Sequence, residues 1–359
     1  MRVLFLFLLT SLVLFSNTLP IKIVSNLGVV WGMTFLDENR MLITFKEGKI
    51  SLLDLKLKTI TNINNVPKVF NKGQAGLLDI QNKNGWIYLT YAKNINGKAA
   101  TTIARTKLEN DSLVSFEELL VSKSISSTNA HFGSRITFDE SGHLFFSIRD
   151  RGVRENGQNL ETHSGSILRL NLDGTVPKDN PFINNPKALN EIYSYGHRNP
   201  QGIFYDKESK KLYAIEHGPR GGDEINLIEK GSNYGWAIVS KGKEYWNMSY
   251  VGKYRTNKEY MDAIKVFTPS IAPSSLIVYS GKKYKSLKGN LLSGALKLRH
   301  LNRIVLNSNG KVIKEYRLLE DLNERIRNVI ESPVGEIYIS TDSGNIYLVD
   351  INESNQNRD

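Results

Sequence analysis

The sequence predicts an all-β chain folded as a six-bladed β-propeller. Strand signals dominate it, and long helical periodicities are scarce. One hairpin theme recurs six times: an apolar strand, a tight polar turn, and a second strand rich in aromatic and β-branched residues. The copies begin roughly 45 to 75 residues apart, a repeat length that suits blades of four-stranded sheet around an axis.

In chain order the copies are WGMTFLDENRMLITF from Trp31, GLLDIQNKNGWIYLTY from Gly76 and SRITFDESGHLFFSIRD from Ser134. They continue with QGIFYDKESKKLYAIE from Gln201, SSLIVYSGKKYKSLKGNLLSGAL from Ser274 and RNVIESPVGEIYIST from Arg327. Turns such as DENR, NKNG, DESG and SPVG carry the Asn, Asp, Gly and Pro that reverse a strand. A β-sandwich would have a similar strand density without repeating its hairpin so regularly. Spacing is widest between the third and fifth copies, so the inserted loops, where chemistry is expected, belong there.

The flanks read differently. MRVLFLFLLTSLVLFSNTLP sets one arginine before an apolar run from Val3 to Phe15, the layout of a secretory leader. The expected division is a leader over 1–18, a propeller over 19–350 and a polar tail over 351–359. A periplasmic or secreted protein follows, with no stable membrane insertion after leader cleavage.

With 359 residues, 40% of them hydrophobic, the chain can bury a substantial core. It has no cysteine, which excludes disulfides, thiolate metal sites and thiol nucleophiles. The net charge of +11 comes from scattered Lys and Arg without a basic block, so nucleic-acid binding is not expected. An anionic small ligand needs only a few of those charges in one pocket.

The chemistry then rests on His, carboxylates, Arg, Lys and main-chain oxygens. His131, His197 and His217 stand near glycines at the ends of repeat strands and are expected to face one another around the top of the propeller. His143, His163 and His300 read as surface or structural, and no pair has zinc-ligand spacing. The loop in IEHGPRGGDEINLI, Ile215 to Ile228, has more to offer. Gly218 and Pro219 present carbonyls, and Asp223 and Glu224 add carboxylates, the hard oxygens that calcium favours. From the residues alone, a calcium site and an acidic hairpin turn are equally good readings.

Seven motifs in one order carry a resemblance: GQAGLLDI, HFGSRITFDESGHLFFSIRDRG, HSGSILRLNLDGTVPKDNPF, EIYSYGHRNPQG, EHGPRGGDEINLIEKGSNYGW, PSIAPSSLIVYSG and ERIRNVIESPVGEIY. Together they resemble the glucose/sorbosone dehydrogenase family, whose best-known members are soluble sugar dehydrogenases using pyrroloquinoline quinone. The resemblance implies a six-bladed propeller and oxidation of aldose sugars to lactones, with electrons passed to an external acceptor. It implies His131 as general base and Arg198 beside the quinone oxygens, followed by Asn199. Gln74 matches a substrate-side glutamine counted with the cofactor contacts, Ser270 and Lys297 match cofactor contacts, and Arg325 and Arg327 match the family's RxR. Gly218 and Pro219 match carbonyl ligands of a Ca2+ that bridges to the cofactor, and Glu224 and Tyr234 match a second, structural Ca2+. Ala130, Phe267 and Ser270 depart from residues found in some members and bear on the choice of sugar. A monomer is expected. The other readings of the same residues are a catalytically silent propeller that binds without reacting, and a calcium-dependent lactonase.

Overall fold

A computed structural model describes residues 18–353; residues 1–17, all but the last residue of the expected leader, and residues 354–359 lie outside the described residues. Among the described residues, twenty-four strands form six antiparallel sheets of four, and the remaining regular elements are three short 3₁₀ turns. Each predicted hairpin supplies the two inner strands of one blade. The first blade uses Val30–Phe35 and Arg40–Phe45, the second Leu77–Lys83 and Trp86–Ile95, the third Ile136–Phe138 and His143–Ile148. The fourth uses Pro200–Asp206 and Lys211–Glu216, the fifth Pro273–Val278 and Leu291–Ala295, the sixth Ile326–Glu331 and Ile337–Thr341. The first strand of every blade packs against the first strands of both neighbours, which closes the ring.

Period-two side-chain alternation explains why blades stack. In His143–Ile148, Leu144 and Phe146 pack towards Tyr88 and Ile103 of the second blade, while Phe145 packs towards Ile203 and Leu212 of the fourth. The same division recurs around the ring, so every pair of neighbouring blades encloses an apolar core. Hydroxyls add directional links. Thr44, Thr90, Ser147 and Ser340, each on the second strand of a blade, donate to Leu78, Ser134, Pro200 and Val30 carbonyls of the next blade. Thr44 also accepts from Gly32 N at 2.9 Å, so it satisfies two backbone groups in a site without water. Thr44→Val is expected to cost about 1–3 kcal/mol, the penalty for a buried polar group left unpaired. A shift in the urea midpoint at unchanged slope would measure it.

The sixth blade takes its outer strand from the other end of the described chain. Thr18–Val24 pairs antiparallel with Ile346–Ile351, with Thr18 opposite Ile351. The axial channel is interrupted part-way along. Arg135 donates to Asp79 Oδ1 at 2.8 Å, to Gln201 O at 3.3 Å and to Arg327 O at 3.0 Å, and it lies over the Trp31 ring. Ile136 N completes the cluster by donating to Asp79 Oδ2. A cavity of about 340 Å³ lies on one side of this plug and one of about 520 Å³ on the other.

Candidate functional site

The smaller axial cavity concentrates positive charge. Lys46, Arg149, Arg325 and Arg327 line it, and Asp342 is the one carboxylate among its lining residues. Arg325 and Arg327 reach it from one strand edge at period-two spacing. Arg327 Nε and Nη2 grip Asp342 at 2.7 and 2.9 Å, and Arg325 Nε meets the same carboxylate at 2.8 Å. Burial would raise the Asp342 carboxyl, but the two guanidiniums outweigh it and hold it below the ordinary range.

Arg149 has no such partner. It is 5% exposed, its Nη1 donates to Gln74 Oε1 at 3.1 Å, and its Nε is buried without a hydrogen bond. Burial and the neighbouring Arg327 and Arg198 charges push its guanidinium well below its usual range against the opposing pull of Asp150. A buried donor without an acceptor in a cavity with surplus positive charge fits an anionic ligand rich in oxygens.

His131 stands at the rim. It adopts a left-handed backbone conformation (φ 58°), and its N–H donates to Gln74 Oε1 at 2.9 Å. Its Nδ1 lies 2.7 Å from Asp150 Oδ1, while Asp150 also accepts from Gly152 N and, through Oδ2, from Trp236 Nε1, both at 2.9 Å. Facing a carboxylate, Nδ1 carries the proton and Nε2 is the basic nitrogen. Burial lowers the imidazole pKa below its usual value although Asp150 works to raise it; Arg149 and Arg198 push the same way as burial. The ring is therefore neutral at physiological pH, as a general base must be.

The GPRGG loop folds against itself. A Cβ on Gly218 would come within 2.2 Å of Gly222 O, and Gly221 and Gly222 have φ of 82° and 71°, so glycine is required by close approach and by backbone conformation. Asp223 holds the loop from beneath, accepting from Gly218 N, Ser270 Oγ and Ala272 N. Arg198 Nη1 donates to Gly218 O at 2.8 Å and to His217 O at 3.0 Å. A second cavity of about 20 Å³, water- or ion-sized, brings Arg198, Gly218, Glu216, Glu224 and Tyr234 together. Burial first, and then the facing Glu216 carboxylate, raise the Glu224 pKa to about 8.

The predicted residues therefore divide. Gln74, Asn199, Arg325 and Arg327 line the axial cavity, and His131 joins it through Gln74. Arg198, Gly218, Glu224 and Tyr234 line the small neighbouring cavity. Pro219 is buried with its ring against Gly242, Ser270 directs its hydroxyl to Asp223, and Lys297 is exposed and absent from both linings. The expected ring of three histidines does not form. His197 is fully buried, with its ring nitrogens on Ser194 Oγ and Glu216 Oε1 and its face stacked on Tyr234. His217 does reach the axial cavity, with Nε2 on Pro273 O at 2.6 Å. His163 and His300 are buried structural residues, and His143 pairs with Asp139 in its turn.

A family model described as Glucose / Sorbosone dehydrogenase matches residues 27–349. The chain belongs to this family. Members are sugar dehydrogenases at the level the relatives establish. Aldose sugar dehydrogenase YliI of Escherichia coli is 35% identical over 343 residues, covering 90% of each chain. Quinoprotein glucose dehydrogenase B of Acinetobacter calcoaceticus is 28% identical, covering 90% of this chain and 85% of the relative. The crystal structure of the soluble aldose sugar dehydrogenase from Escherichia coli in the apo-form superposes with a TM-score of 0.89 at 32% identity, over 94% of this chain and all of that one. Six blades, found first as six hairpins, are thus the architecture this chain shares with its relatives.

Proposed function

We propose that this protein is an exported quinoprotein dehydrogenase that oxidises aldose sugars at the anomeric carbon to lactones. The observation that carries this reading is the cation-rich axial cavity beside a neutral His131 oriented by Asp150. Pyrroloquinoline quinone bears three carboxylates and an ortho-quinone. The excess of Lys46, Arg149, Arg325 and Arg327 over Asp342 suits it, as does the quinoprotein character of the Acinetobacter relative. Bound there, the cofactor supplies the two-electron acceptor, which an external oxidant then restores.

The chain's own residues do the rest. Arg325 and Arg327 anchor carboxylates in a planar fork, with Gln74 and Asn199 on the same wall. Lys297 and Ser270 are the remaining proposed contacts. His131 Nε2 takes the proton of the anomeric hydroxyl as hydride leaves the same carbon. Arg198 brings positive charge towards the side where negative charge accumulates. For calcium, the carbonyls of Gly218 and Pro219 are neutral donors, and Arg198 already bonds the first of them. No group of three His, Asp or Glu that could hold an ion gathers among the described residues. An ion needing six to eight oxygens would be held there only together with the ligand's own oxygens. Glu224, with Tyr234 beside it, faces the small cavity where a second cation would relieve its repulsion from Glu216.

Titrating metal-free protein with the quinone in calcium is expected to change the quinone absorption at a 1:1 endpoint and to confer dye-linked oxidation of aldoses. Arg327→Ala should weaken that titration at least tenfold while the far-UV spectrum stays that of the folded propeller. Protein that neither binds the quinone nor oxidises any aldose in a broad panel would end this reading.

A further inference from the structure

We propose that Arg149 is a further anion anchor of the axial cavity, with its unpaired Nε–H as donor to an acidic oxygen of the bound ligand. The nature of that ligand rests on the function proposed above; the anchor itself rests on the cavity. Arg149 is the arginine of this site with neither a carboxylate nor a backbone carbonyl as hydrogen-bond partner. Arg325 and Arg327 share Asp342, Arg198 is bound to the Gly218 and His217 carbonyls, and Arg151 is surrounded by backbone acceptors. Arg149 has one hydrogen bond, to Gln74, and a buried Nε with none. It directly follows the strand His143–Ile148, beside Asp150, and is 5% exposed.

The charge environment points the same way. Asp150, the nearest carboxylate in sequence, is already bonded to His131, Gly152 and Trp236. The chain thus buries a guanidinium among like charges and leaves its full compensation to something else. Gln74 Oε1 bridges Arg149 Nη1 and His131 N, so an anion on Arg149 lies one hydrogen-bonded residue from the general base. A structural arginine and a ligand anchor differ in the sign of their effect on the empty protein. If Arg149 served the fold, removing it would destabilise the metal-free, ligand-free chain. As an anchor it burdens that state, and its removal relieves repulsion from Arg327 and Arg198.

The test compares wild type with Arg149→Met and Arg149→Lys by two readouts: thermal unfolding of the ligand-free protein, and absorption titration with pyrroloquinoline quinone. Arg149→Met is expected to unfold at an unchanged or higher temperature and to raise the quinone Kd at least tenfold, with Arg149→Lys between the two. Wild-type affinity in Arg149→Met, or a lowered unfolding temperature in both variants, overturns the proposal. Benzene-1,3,5-tricarboxylate, followed by displacement or calorimetry, separates this from the cofactor reading. If wild type ignores the quinone but binds the tricarboxylate through Arg149, the anchor stands and the cofactor reading fails. If wild type binds the quinone and Arg149→Met binds it equally well, only the anchor fails. If wild type binds neither anion, both fail.

Discussion

Replacing His131 by glutamine is expected to lower kcat by about 10²–10⁴-fold, the usual contribution of a positioned general base, with the quinone affinity little changed. The separation follows from the geometry, since the four cations line the cavity while His131 meets it through Gln74. The pH profile supplies an independent check. The imidazole pKa is lowered from its ordinary value, so the basic form persists to more acidic pH than in a free histidine. Activity should start to fall at a more acidic pH than an ordinary histidine would give, as the ring gains its proton. Asp150→Asn should be as damaging, up to about 10⁴-fold, because an amide can donate to Nδ1 and so move the proton to Nε2. Raising the pH would not restore it. Single-turnover reduction of the quinone-loaded variants by an aldose reads these effects directly, and an unchanged rate in His131→Gln would remove this residue from the chemistry.

The largest stability effect is expected at the axial plug. Asp79→Asn leaves the Arg135 guanidinium buried without its counter-charge and should cost about 3–5 kcal/mol in urea unfolding. Arg135 touches residues of five blades: Asp79 of the second, Gln201 of the fourth, Arg327 of the sixth and Trp31 of the first, besides its own third. Burial pushes the Asp79 carboxyl up and the Arg135 guanidinium down, and each offsets the other. Replacing both by apolar residues of similar size should therefore be much less costly than either single change. A double variant as unstable as Asp79→Asn would show that the plug's hydrogen bonds to the backbone, and not its charge pair, hold the axis together.

The hairpins were legible because they are local: strand, turn and strand lie within about twenty residues and repeat the same turn chemistry. Outer strands were not. Thr59–Asn62 is exposed at every position and carries no apolar alternation. Thr18–Val24 follows closely on the apolar run from Val3 to Phe15, and its partner lies at the other end of the described residues. In the site, Arg325 and Arg327 could be read because alternation puts both on one face. Asp342 sits in a TDSG turn, and Arg149 and Asp150 in SIRDRG, where sequence suggests solvated charges. Only the ring of blades, by turning those strand ends inward, removes them from water. The one available signal was the density of charge in SIRDRG directly after an apolar strand. His197 misled for the complementary reason: its glycine neighbour and strand-end place suggested a position facing the other two histidines, whereas Glu216 and Tyr234 enclose it.

The pairing of Thr18–Val24 with Ile346–Ile351 also bears on how the molecule is made. As the chain is synthesised, Thr18–Val24, the outer edge of the sheet that seals the circle, has no partner until Ile346–Ile351 emerges. Until then five blades can assemble only as an open arc, with the apolar faces of its first and fifth blades uncovered. Such distant pairing is slow to form. The moment of greatest vulnerability to aggregation or proteolysis is therefore the interval just before closure, and any extension placed against either of these two strands would lengthen it.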